Sequence, residues 1–183
     1  GFKLLSIDYS QIELRILAHL SEDKNLVDAF NRDEDIHERT AREIFGELAT
    51  REERKEQRRA AKTITYGIIY GQGAQRLSKD LGISRSNAQN YIDQYFARYF
   101  GVRNYFDRIR SEIKRDGYTE TLFGRRRFLS EIETSGRDTG YGERALLNSP
   151  LQGTAAEIIK LAMLKVAPKM KHDEARLVLQ VHD

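Results

Sequence analysis

RRAAKTITYGIIYG, residues 58–71, is the stretch on which the reading of this chain turns. Within it Arg58, Lys62, Tyr66 and Tyr70 recur every four residues. Each step of four turns ~400° about a helix axis, so the stripe drifts only ~40° per step and stays on one side. Ile64, Ile68 and Ile69 fall on another face and predict a buried side. Thr63, Ile64, Thr65 and Gly67 are poor helix formers. Packing or a ligand must therefore favour helix here. Gly67 carries no side chain, which predicts open space beside the Tyr66 ring.

From Arg58 to Tyr66 the rise is ~12 Å, comparable to a nucleoside triphosphate measured from its terminal phosphate to its base. Lys62 offers a point charge and Arg58 a fork of donors for phosphate. An ordinary amphipathic helix explains the isoleucines equally well, and the two readings use different faces.

Outward from this stretch, Thr50-Arg-Glu-Glu predicts a helix start that runs to about Tyr70, with Gly71 and Gly73 ending it. Arg51, Arg54, Lys55, Arg58, Arg59 and Lys62 cluster there, interleaved with Glu52, Glu53 and Glu56. On charge alone this reads as a solvated face. Upstream, Phe2 to Ile7 is a short apolar run that predicts a buried strand ending at Asp8. Ser-Gln-Ile-Glu from Ser10 has the pattern of a capping box, and Ile12, Leu14, Ile16, Leu17 and Leu20 give the helix after it an apolar face. Ser21 and Asp35 read as caps of two more helices, the second closed by Gly46.

Downstream, helices are predicted over 74–81, 85–99 and 102–116, the last stopped by Gly117. Tyr118 to Leu122 and Arg126 to Leu129 flank Phe123-Gly124-Arg125 as a hairpin, and residues 131–141 read as loop. Pro150 is expected to break a helix starting near Glu143; Gln152 to Val166 is strongly helical, and Pro168 ends or kinks it. Leu177 to Val181 predicts a final strand. A lone strand at each end makes no stable sheet, so the pattern reads as a fragment.

The whole chain has 183 residues, a net charge of +3, 39% hydrophobic and 32% charged residues, and no cysteine. That excludes disulfides and thiolate metal sites, and the apolar share is too high for a disordered chain. No apolar run approaches the ~20 residues of a membrane span, and the first residues lack a signal-peptide pattern. A reducing, cytoplasmic setting is expected. Clustered bases, including Arg125, Arg126 and Arg127, point to a polyanionic partner.

Asp8 ends the first expected strand and Asp183 the last. If those strands pair, two hard oxygen ligands meet at one sheet edge, a donor set suited to Mg²⁺. Taken singly, each aspartate reads better as a cap of the next element.

Three segments together resemble one family. DYSQIELR (residues 8–15), RRAAKTITYGIIYG (58–71) and VHD (181–183) are similar to motifs A, B and C of the family A DNA polymerases; ETLFGRRR (120–127) and NSPLQGTAAEIIKLAM (148–163) also look like that family. The likeness covers essentially the whole chain in the family's order. It implies an α+β fold, a partial antiparallel palm sheet with a large helical fingers insertion. The implied division is palm over 1–20, fingers over 21–150 and palm again over 151–183, truncated at motif C. Implied, too, is template-directed DNA synthesis by two-metal nucleotidyl transfer from dNTP to a primer 3′-hydroxyl, inactive in the isolated fragment.

By the same resemblance Asp8, Asp183 and the backbone carbonyl of Tyr9 hold two Mg²⁺ ions. Lys62 binds the triphosphate and acts as general acid toward pyrophosphate. Arg58 and His37 contact phosphates, and Gln11, Glu13, Tyr66 and Tyr70 complete the nucleotide site. Glu13 is the steric gate against a ribose 2′-hydroxyl, where sequence pattern alone favours a cap. Tyr66, phenylalanine in some members, implies weak rejection of dideoxynucleotides. Arg125, Arg144, Asn148, Gln152 and His182 contact DNA. The implied partners are primer-template DNA and dNTPs, with no membrane and a monomeric parent protein. Two other readings share parts of the pattern: a single-subunit RNA polymerase fragment and a helical DNA-binding module without chemistry.

Overall fold

The computed structural model describes residues 3–46, 50–130, 139–171 and 175–181. Among them the chain is mostly helical, with one small two-stranded antiparallel sheet. The helices are α1 (Ile12–Ser21), α2 (Lys24–Asn31), α3 (Ile36–Phe45), α4 (Arg51–Ile69), α5 (Ala74–Leu81), α6 (Arg85–Arg98), α7 (Phe100–Asp116) and α8 (Thr139–Val166). Strands β1 (Tyr118–Glu120) and β2 (Arg126–Phe128) form a hairpin between α7 and α8, with Tyr118 opposite Phe128 and Glu120 opposite Arg126.

Local sequence fixes most helix ends. Thr50 and Glu53 make a full capping box at α4. Asp35 caps α3, Ser84 caps α6, and Gly117 closes α7 in the left-handed region. Helix α4 packs along α3; α1 packs on α7 and α8; the hairpin leans on α7 and α8. Leu14 and Leu17 of α1, Ile64 and Ile69 of α4 and Leu146 and Leu151 of α8 are essentially fully buried. The isoleucine face of the 58–71 stretch is thus core, which offsets its weak helix propensity.

Several expectations need correction. Residues 3–9 and 175–181 contain no strand. Leu4 is 93% exposed and Leu179 81%, so these apolar runs have no layer to cover them and no neighbouring strand to bond. The partial palm sheet is therefore not formed among the described residues, whose only sheet is the hairpin. The hairpin strands are shorter than expected, three residues each. Ser10 makes no capping box: α1 starts at Ile12 behind Gln11, which sits in the left-handed region with φ 54° and gives no side-chain cap. Glu13 is then one position too early to reach back, and its carboxylate is engaged elsewhere. Ser21 is the last residue of α1, and the cap of α2 is Asp23.

Pro150 does not break α8. A proline in a helix interior costs ~3 kcal/mol, but Leu146, Leu147 and Leu151 bury on either side of it and hold the helix through. Residues 139–141, expected as loop, belong to this helix, whereas 131–138 lie outside the described residues. A short 3₁₀ turn, Ala167–Lys169, ends it around Pro168 as predicted. Gly67 does not open space beside Tyr66. A Cβ there would lie 2.9 Å from Gln72 Oε1 and 3.4 Å from Leu77 Cδ1, so the glycine permits close packing of α4 on the chain that follows it.

Candidate nucleotide site

Helix α4 and the segment before α1 face each other across an open pocket of 320 Å³. Asp8, Tyr9, Ser10 and Gln11 line one side; Arg58, Lys62 and Tyr66 line the other, with His37 of α3. The left-handed Gln11 bends the chain at the entry to α1, and Arg15 Nε donates to the Ser10 carbonyl (3.0 Å) to hold that bend. Asp8 is exposed while Ile12 and Leu14 enter the core.

The α4 wall is ordered by its own contacts. Lys62 Nζ lies 5.9 Å from the centroid of the Tyr66 ring. The Tyr66 and Tyr70 rings stack at 6.1 Å, and the His37 ring sits 5.7 Å from Tyr66. Tyr70 donates its hydroxyl hydrogen to Glu13 Oε2 at 2.7 Å, tying the end of α4 to α1. Glu13 is buried, at 7% exposure, behind the pocket rather than in its lining.

His37 is 2% exposed and its Nδ1 has no hydrogen-bond partner. Burial, with the Arg58 and Lys62 cations nearby, pushes its pKa down to about 4 against the pull of Asp35. The imidazole is therefore neutral at pH 7 and carries one N–H to give. Arg58 donates through Nε to Asp35 Oδ2 (2.8 Å), and its Nη2 lies 2.7 Å from the same oxygen in the ion pair.

A second pocket, of 270 Å³, lies under the hairpin and is lined by Thr119, Thr121, Arg125, Arg127, Ser149 and Gln152 among others. Arg127 Nη1 donates to Ser149 Oγ (3.0 Å). A Cβ on Gly153 would come 2.5 Å from Thr121 Cγ2, so glycine there lets α8 reach the hairpin. Arg144 is exposed and packs its stem near Gly71, where a Cβ would lie 3.0 Å from its Cγ. Asn148 is buried, and its Oδ1 has no partner.

The sequence-predicted residues thus fall into two groups. Asp8, Tyr9, Gln11, His37, Arg58, Lys62 and Tyr66 share one pocket and Arg125 and Gln152 the other, while Glu13, Tyr70, Arg144 and Asn148 line neither. Asp183 and His182 lie outside the described residues. The residue that motif reading undervalued is Asp35, taken only as a cap. The signal was its place two residues before His37, which puts its carboxylate at the N-terminus of the helix that carries the histidine.

Asp8 is an exposed hard-oxygen donor of the type a divalent cation takes, and the Arg58 and Lys62 charges opposite it would admit such a cation only together with a polyanion. No group of three His, Cys, Asp or Glu side chains converges among the described residues. No described helix is long and apolar enough to cross a membrane.

Comparison with known proteins identifies the family. A profile of DNA polymerase family A matches residues 1–183. The chain is 50% identical over 186 residues to DNA polymerase I of Pseudomonas aeruginosa, covering all of this chain and 20% of that protein. It is 46% identical over 184 residues to the thermostable DNA polymerase I of Thermus aquaticus, covering all of this chain and 22% of that protein. Among solved structures it resembles the POL domain of Pol1 from M. smegmatis in complex with DNA primer-template and dNTP, with a TM-score of 0.83, 44% identity, and 96% of this chain and 31% of that chain covered. The chain therefore spans about a fifth of the length of the curated relatives it matches. The single-subunit RNA polymerase reading gives way, and a pocket walled by DYSQIELR and RRAAKTITYGIIYG belongs to a chain of DNA polymerase family A.

Proposed function

We propose that this chain carries the nucleotide-binding half of a template-directed DNA polymerase, with palm over 1–20 and 151–183 and fingers over 21–150. The observation that carries the reading is the single pocket that sets Asp8 and Tyr9 opposite Arg58, Lys62 and Tyr66. A dNTP lies along α4 with its phosphates at Arg58, Lys62 and His37 and its sugar and base toward Tyr66. The neutral His37 gives one N–H to a phosphate oxygen, while Arg58 and Lys62 supply the charge. Lys62 gives a proton to the departing pyrophosphate.

Asp8, the Tyr9 carbonyl and Asp183 would hold two Mg²⁺ ions. When bound, these supply Lewis-acid polarisation at the primer hydroxyl and the triphosphate. Glu13 selects deoxyribose from outside the lining, through the Tyr70 side chain it holds, and the Tyr66 hydroxyl permits dideoxynucleotides. Arg125, Arg144, Asn148, Gln152 and His182 contact primer-template DNA, Arg125 through phosphates and hence salt-dependently. The polymerase that contains this chain works as a monomer in the bacterial cytoplasm or in a phage-infected cell.

The test is Asp8→Ala in the intact polymerase. Primer extension is expected to fall on the order of a thousandfold or more, the loss of several kcal/mol of barrier lowering. Primer-template binding should hold within about twofold. Undiminished extension would refute the reading and leave a DNA-binding module without chemistry.

A further inference from the structure

The phosphate wall of the pocket is held by a residue outside its lining. Asp35 uses both carboxylate oxygens. Oδ1 accepts from the backbone N–H groups of His37 (2.9 Å) and Glu38 (3.1 Å), which starts α3. Oδ2 accepts from Arg58 Nε (2.8 Å) and pairs with Nη2 of the same guanidinium at 2.7 Å, which reaches across to α4. One side chain thereby sets the backbone of His37 and the guanidinium of Arg58 together. With one edge of the fork engaged, Nη1 remains for an incoming anion.

We propose that Asp35 is a positioning residue for the triphosphate: it fixes His37 and Arg58 relative to each other before nucleotide arrives. The inference rests on the nucleotide site proposed above and adds to it a residue that touches no substrate. Two further observations agree. The side chain of Arg58 is 45% exposed, and that of Asp35 35%, so the pair sits at the pocket mouth where solvent would otherwise let a long cation wander. Burial works against ionisation of Asp35, yet the Arg58 bonds and the α3 N–H groups hold its carboxyl below the ordinary range, so it is charged wherever the enzyme works. Orientation of this kind acts on substrate affinity rather than on the chemical step.

Two substitutions separate the carboxylate's two tasks in the intact polymerase. Asp35→Asn keeps a good cap and removes the charge that holds Arg58. Asp35→Glu keeps the charge and weakens the cap, since glutamate is a poor N-cap. For Asp35→Asn the KM for dNTP should rise roughly tenfold, the scale of one charge-assisted bond, with kcat within about twofold and Tm nearly unchanged. For Asp35→Glu the KM should rise less, while Tm falls more. An unchanged KM in Asp35→Asn, or KM changes that follow Tm in both variants, would overturn the proposal. Lys62→Ala serves as the control. If Lys62→Ala impairs extension and Asp35→Asn does not, only the role of Asp35 fails; if neither does, the nucleotide site itself is wrong.

Discussion

The wall formed by α3 and α4 and the two terminal apolar segments are both strongly patterned, yet they end in opposite states. The wall is capped, ion-paired and buried on its inner face. Asp35 joins the two helices, Thr50 and Glu53 close the start of α4, and Ile64 is fully buried. The runs at 3–9 and 175–181 carry a larger apolar share but stand in solvent, with Ile7 81% and Val178 74% exposed. A helix satisfies its backbone from within, so a neighbour is needed only for its apolar stripe. A strand needs a partner for every N–H and C=O it presents. A modest apolar stripe is thus sufficient in one place, and a richer apolar run is useless in the other.

The sharpest way to break this contrast is to remove a residue on which the helical part depends. Asp23 is 3% exposed; Oδ1 accepts from Asn25 and Leu26 N–H, and Oδ2 accepts from Gly101 N–H at 2.8 Å. Asp23→Ala should cost about 3 kcal/mol, a cap plus a buried N–H left unmade, read from urea unfolding of the 183-residue chain. A loss below about 1 kcal/mol would mean that the helical half is not held by such local anchors.

A smaller effect comes from acid. The fold lowers the His37 pKa to about 4 from 6.5, so the unfolded chain takes up a proton first as pH falls. The histidine's contribution to stability is complete above pH ~6.5, declines as pH drops toward 4 and is exhausted below it. His37→Gln should therefore flatten the pH dependence of unfolding in that window relative to the parent chain, as followed by circular dichroism. An unaltered slope would contradict the buried, neutral imidazole.

The smallest effect is expected where the segments are bare. Leu4→Ser and Leu179→Ser should each move the unfolding free energy of the 183-residue chain by less than about 0.5 kcal/mol, as exposed positions do. In the intact polymerase the same changes should cost more than about 1 kcal/mol, if further strands of the palm cover these runs. Equal and small effects in both settings would remove the contrast.

What the sequence made legible follows the same division. As helix-end signals Thr50, Asp35, Gly46 and Gly117 work on backbone groups a few residues away, and the ends they mark are where they were read. The four-residue stripe of Arg58, Lys62 and Tyr66 was readable because helical periodicity alone puts it on one side. Ser10 and Ser21 misled because a cap pattern cannot tell which of several nearby polar residues the tertiary fold will use; Asp23 won by reaching Gly101 as well as its own helix. Pro150 misled because its local cost is outweighed by leucines buried against distant elements. Gly67 was read for the room it leaves, whereas its neighbour Gln72 returns to fill that room. The engagement of Arg58 by Asp35 spans 23 positions, and no periodicity reports it.

The close approach at Gly101 has one more consequence. A Cβ there would lie 2.8 Å from Asp23 Cα, so the backbones of the α1–α2 corner and the start of α7 touch with nothing between them. Helices that meet main chain to main chain cannot slide past each other by exchanging rotamers. The α1–α2 corner and the start of α7 therefore keep one register, and even an alanine at position 101 would have to push two main chains apart.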